Sequence, residues 1–196
     1  ETVGIKTSFS LFGQGAWKVD PKEEVMILTL FACLFLALCV FAALHDVNRL
    51  TIPNWLNLTL ALLFVPAAAV SGIPLEIIGG HVVAAACALM IAFGLYAFNI
   101  VGGGDAKMIP AVMLWIGPSA TVTFLFVMAL AGGACAVIII LVRKTMPAEV
   151  VPGAIRAPFK ENAGVPYGVA IATGVFVGGL ESPFLSETLS LIGQFG

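Results

Sequence analysis

Charge is what this chain has least of. Only 10% of its 196 residues are Asp, Glu, Lys or Arg, against 60% hydrophobic, and its mean hydropathy is +1.08. A water-soluble domain carries about 25% charged residues, so this sequence lacks the polar surface of an ordinary cytosolic globule. Basic runs are missing too. Nine Lys+Arg against eleven Asp+Glu leave a net charge of −2 and no footprint for nucleic acid. Hydrophobicity this high excludes disorder. The four cysteines, Cys33, Cys39, Cys87 and Cys135, form no C-x-x-C pair and have no His at ligand spacing. Neither a structural zinc site nor a disulfide framework is expected of them; they read as small apolar residues packed between helices. No metal and no cofactor is implied. The alternating ten-residue segments of a β-barrel are also absent, while long unbroken apolar stretches are plentiful. The fold class is therefore all-α, a polytopic protein whose solvent is the lipid bilayer.

The stretches divide into about six membrane segments. Asp20-Pro21-Lys22-Glu23 reads as an N-cap, a Pro at N1 and a capping-box Glu, and an apolar run follows over 25–44. The residue before a proline disfavours the helical region, so Ile52-Pro53 breaks the chain. Asn54 is placed to cap a second span over 55–71, with Trp55 as an interfacial anchor. After a turn at Gly72-Ile73-Pro74 comes a third span over 77–98. Residues 99–107, with Gly102, Gly103 and Gly104 in a row, read as a loop. A short helix over 108–115 stops at Gly117-Pro118, and full spans follow over 119–142 and 166–180. On this reading 1–20 is an N-terminal extension, 21–180 the membrane domain and 181–196 an interfacial tail opened by Ser182-Pro183.

Arg49, Lys107 and the basic segment 143–160 fall on alternate connections, whereas Glu76, Glu181 and Glu187 fall on the others without Lys or Arg. The positive-inside rule makes the first set cytoplasmic. Intramembrane carboxylates are costly and need a reason. Two stand at the cytoplasmic ends of apolar spans, Asp46 and Asp105. Twelve residues separate Asp105 from Gly117, roughly 18 Å of helix, which sets Asp105 roughly 10 Å below the cytoplasmic boundary of a ~30 Å core. Irregular backbone at that depth is tolerated only against protein or a wet cavity, and glycine lets it bend and lets another chain approach. Two carboxyl groups facing one cavity share a proton and can act on one water as base and acid, the logic of aspartic proteases. The plainer reading makes Asp46 a solvated helix end.

The same residues carry a resemblance. Gly102-Gly103-Gly104-Asp105 fits a G-x-G-D signature and continues as Ala106-Lys107. Asp46 is followed by Ile52-Pro53-Asn54, and Val165-Pro166-Tyr167-Gly168-Val169-Ala170 stands near the C-terminus. In this order, within an apolar chain, the trio resembles the type IV prepilin peptidases over roughly residues 26–180. It looks like their short form associated with tight-adherence (Flp) pili. The resemblance implies a membrane aspartic endopeptidase of the bacterial inner membrane with Asp46 and Asp105 as its catalytic pair. It further implies a prepilin or pseudopilin substrate, with a basic leader cut just after a glycine on the cytoplasmic side. Larger family members pair a zinc-binding cysteine domain with N-methylation; without such cysteines here, methyltransferase activity is not expected.

Other polar residues admit weaker readings. Lys107 reads first as a snorkelling interfacial lysine and second as site support, as do Asn54 and Tyr167. His45 points about 100° from Asp46 on a helix and reads as interfacial, His81 as structural. Ala129 with Gly133, and Ala170, Gly174 and Gly178, give a four-residue spacing of small side chains that suits either helix contact or a substrate helix. The long segment 143–164, with glycines at 153 and 164, is expected to move when substrate arrives sideways through the bilayer. A small transporter or channel using the two acids as a proton relay is the rival reading, and it requires paired broken helices in the two halves.

Overall fold

The computed structural model describes residues 21–147, 150–160 and 163–186, and the expected cap residue Asp20 lies outside them. These residues form five α-helices: α1 (Pro21–Arg49), α2 (Asn54–Val70), α3 (Leu75–Ala97), α4 (Gly103–Thr145) and α5 (Tyr167–Gly178). Short 3₁₀ turns at Gly153–Ile155, Ala157–Phe159 and Gly179–Glu181 complete the chain. No strand occurs among the described residues. Helix α4 is the centre of the bundle. Helices α2, α3 and α5 pack on it, and α1 packs on α2 and α5. Three helices, α1, α3 and α4, are long and apolar enough to cross a membrane, while α2 and α5 are shorter apolar helices. Large side chains such as Leu30, Leu62, Met90, Phe93 and Val122 point outward, as lipid-facing residues do.

Inside the bundle the apolar effect cannot drive helix against helix, because lipid tails are as apolar as leucine; packing and hydrogen bonds do it instead. Trp115 is fully buried, stacked on Phe35 at 4.5 Å, edge-on to Phe64 and Phe184, and donates from Nε1 to the Leu60 carbonyl at 3.0 Å. Small residues let α5 close on α4: a Cβ at Gly174 or Gly178 would come within 2.9–3.0 Å of Phe124 backbone atoms. This part of the small-residue spacing serves helix contact. Cys39 is buried, Cys135 half-buried and Cys33 and Cys87 exposed, all four unpaired.

One expected boundary is wrong and one expected break holds. The glycine run is not a loop: α4 begins at Gly103, with Gly102 extended at φ −66°, ψ 148° as its N-cap and Ala106 N–H bonded to the Gly102 carbonyl. Glycine's low helix propensity is outweighed because these residues occupy only the first turn, where packing against α2 holds them. The break expected at Gly117-Pro118 is present: Gly117 leaves the helical region (φ 70°, ψ 179°) and divides α4 into two arms. Pro118 has no N–H for the Leu114 carbonyl, and His81 Nδ1 donates to that oxygen at 2.7 Å instead. The next carbonyl, Trp115, accepts from Ser182 Oγ, and Thr121 Oγ1 donates to the Gly117 carbonyl at 2.7 Å. The expected interfacial tail thus starts in the core: Ser182, Phe184 and Leu185 are buried against the bend. Residues 187–196 lie outside the described part.

A Cβ at Gly117 would sit 2.3–2.6 Å from three His81 ring atoms, on a backbone that L side chains rarely adopt. Gly117→Ala is expected to lower stability by about 2–5 kcal/mol, strain and overpacking together, read as a fall in the thermal midpoint in detergent. Arg143 anchors the segment that was expected to move. Its guanidinium donates to the Pro158 carbonyl (3.1 Å from Nε) and to the Ala163 carbonyl (2.7 Å). Lysine cannot reproduce this fork, so Arg143→Lys is expected to speed amide exchange over 150–160 without loosening α2 or α3.

Candidate active site

Asp46 faces inward because of register. Ala32, Phe35, Leu36, Cys39 and Ala42 form the buried stripe of α1, and Asp46, four residues on, continues it at 4% exposure. The helix runs one turn beyond the acid and closes at Leu50 (φ 52°), whose N–H bonds the Asp46 carbonyl at 2.7 Å. His45, on the neighbouring face, bonds the Thr51 carbonyl through Nδ1 at 2.7 Å and so fixes the turn into α2.

Asp105 comes from the other side, in the first turn of α4. Its carboxylate folds back over Gly102, where a Cβ would stand 2.9 Å from Oδ2. Gly104, just before Asp105, packs on Ile52, six residues beyond Asp46, so two acids 59 positions apart in the chain stand at the same end of the bundle.

The remaining motif residues converge on the same point. At Gly104, a Cβ would meet the Ile52 Cβ and backbone N at 3.1 Å, so the glycine run touches the Ile52-Pro53-Asn54 corner directly. Asn57 Nδ2 donates to the Gly104 carbonyl at 3.2 Å, and Lys107 Nζ donates to Asn54 Oδ1 at 2.8 Å. Asn54 therefore does not cap α2: Pro53 occupies the N-cap position with no side-chain cap, and the Asn54 amide is turned toward α4. Gly103 packs under the Tyr96 ring. From the C-terminal motif it is Gly168, not Tyr167, that reaches the acids. The Gly168 N–H donates to Asp46 Oδ2 at 2.7 Å, and a Cβ there would lie 2.9 Å from the Asp46 Cβ. Tyr167 is 41% exposed and lays its ring on Gly132 of α4. Gly168 stood inside the C-terminal motif without being singled out, and nothing local marks Asn57; their partners are 122 and 47 residues away.

The type IV leader peptidase family matches residues 33–137, just over half of the chain and inclusive of both acids. The chain belongs to the type IV leader peptidase family. No curated protein and no solved structure matches significantly. The family makes this leader peptidase a prepilin peptidase, a protease, and its three long apolar helices suit a membrane protein. Nothing in the match supports the proton-relay transporter, and among the described residues α4 alone carries non-helical backbone inside a helix, without the paired broken helix that reading requires.

Proposed function

We propose that this leader peptidase is an aspartic endopeptidase, with Asp46 and Asp105 as the catalytic pair, that removes the basic leader of prepilin-like substrates at the cytoplasmic face of the bacterial inner membrane. The observation that carries the reading is the convergence just described: the first turn of α4, which carries Asp105, packs through Gly104 on Ile52 just past Asp46, and a backbone N–H from α5 orients the Asp46 carboxylate. One carboxylate takes a proton from water as it attacks the scissile carbonyl, and the other carboxyl group donates to the departing amine. The bond from Gly168 holds Asp46 Oδ2 and leaves its other oxygen for the water. The charge pattern supports the cytoplasmic side: Arg49 follows Asp46 by three residues and Lys107 follows Asp105 by two. The resemblance of the three-part motif extends the proposal to the short form associated with tight-adherence pili.

Lys107 and Asn54 fit a supporting role, as a hydrogen-bonded pair that ties the first turn of α4 to the start of α2. Coexpression with a small prepilin encoded nearby, read as a mobility shift on a gel, tests the proposal; an unshifted prepilin beside well-inserted enzyme contradicts it. Cleavage is also expected to survive EDTA and replacement of all four cysteines. Activity lost to the chelator and restored by zinc would remove the two-acid mechanism.

A further inference from the structure

Helices α2 and α3 each lie on α4 but make little contact with one another, and a groove of about 480 Å³ runs between them with α4 as its floor. Its walls are apolar along most of their length, with Leu58 and Ala61 on α2, Val82 and Leu89 on α3, and Ala111 and Leu114 on α4. One end is different. Asn54, Asn57 and Lys107 line it there, and this is the end that adjoins the Gly104 carbonyl and the first turn of α4.

Asn57 is 5% exposed, and its Oδ1 has no hydrogen-bond partner among the described residues. The orientation of this amide follows from chemistry: the Gly104 carbonyl can only accept, so the NH₂ group must face it and the oxygen must face away. A buried acceptor left unmet costs about 1–3 kcal/mol, which calls for a ligand that brings a donor. A lipid acyl chain would fill the apolar walls and bring none. The N-terminal end of an apolar helix brings four, because its first four N–H groups have no partner within the helix.

We infer that the α2–α3 groove seats the apolar helix of the substrate and that Asn57 Oδ1 caps its first turn, just beyond the bond to be cut. The inference rests on the peptidase reading and deepens it. A helix running down the groove from Asn57 keeps its apolar side chains against Leu58, Ala111 and Val82. Its N-terminal end, the leader junction, then points at Asp105. The same amide thereby ties two things together, holding the Gly104 carbonyl through Nδ2 and the substrate through Oδ1.

The test uses full-length enzyme in nanodiscs and a synthetic substrate, a basic leader ending in glycine followed by a helix of about 20 apolar residues. Esters replace, one at a time, the backbone amides of the second, third and fourth residues after the cut, which deletes single N–H donors. One of these esters is expected to lower kcat/KM by about 3- to 10-fold with the native enzyme, the worth of one hydrogen bond. The same ester is expected to cost Asn57→Ala enzyme nothing further. A loss of loop positioning alone would slow both substrates equally, and equal ester effects in the two enzymes overturn the inference. A second arm keeps Asn57 intact: a photo-cross-linker at Leu58 or Leu89 is expected to capture the apolar segment of the substrate in Asp105→Asn enzyme. Capture only from Val122, on the far groove between α3 and α4, also overturns it. Native enzyme that cuts no leader-bearing substrate refutes the peptidase reading itself, whereas cutting without coupling refutes only the groove.

Discussion

Asp46→Asn and Asp105→Asn are each expected to lower leader cleavage by at least about 10³-fold, the scale of a lost acid–base group, while the protein remains inserted and folded. An amide has nearly the shape of the carboxyl group it replaces, so the loss reads chemistry and not packing. The double variant should be no worse than either single one, since the two groups act as a unit on one water. Asp105→Glu should fail as well. One added methylene moves a carboxylate that must be held within about 0.5 Å, and the carboxyl group is folded over Gly102, in the space a Cβ there would take. Radiolabelled or tagged prepilin, followed through time in membranes of each variant, supplies the measurement.

Gly168→Val is expected to be nearly as damaging without touching either acid. A side chain there must enter the 2.9–3.1 Å space already held by the Asp46 Cβ and Oδ2, and the α5 backbone that donates to Oδ2 must back away. Displacing a catalytic group by about 1 Å costs about 10²-fold, so a loss of about 10²-fold or more in kcat is the expected outcome. The neighbouring Tyr167→Phe should change cleavage by less than about 2-fold, because a surface substitution away from the working groups is near neutral and this ring rests on Gly132. The contrast between adjacent positions separates a role in placing Asp46 from a general weakening of α5. Thermal midpoints of the two variants, measured beside their rates, make the separation quantitative.

The helices were legible where composition alone decides them. The apolar runs read at 55–71 and 77–98 match α2 and α3 to within two residues at each end, because proline at 53 and 74 and the turn at Gly72 leave little choice. The burial of Asp46 was half legible: the spacing of four from Ala42 puts it on the inner stripe, but only the packed bundle shows that α5 covers it. The break in α4 was legible as Gly117-Pro118, but a single sequence does not show that His81 and Ser182 replace the donors which it removes. Gly103 to Asp105 read as loop because glycine is a poor helix former in isolation, and contact with Ile52 and Asn57 reverses that preference. Each miss is a long-range contact that overrides a local tendency.

The account stands most directly on whether this chain, by itself, cuts at a leader junction with these two acids. Purified protein in nanodiscs, incubated with a prepilin carrying a basic leader and apolar helix, and analysed by mass spectrometry of the product termini, measures that. The account predicts a single new amino terminus at the junction of leader and helix, formed by the native protein and absent with Asp46→Asn or Asp105→Asn. Cleavage that persists in either variant at the native rate would contradict it.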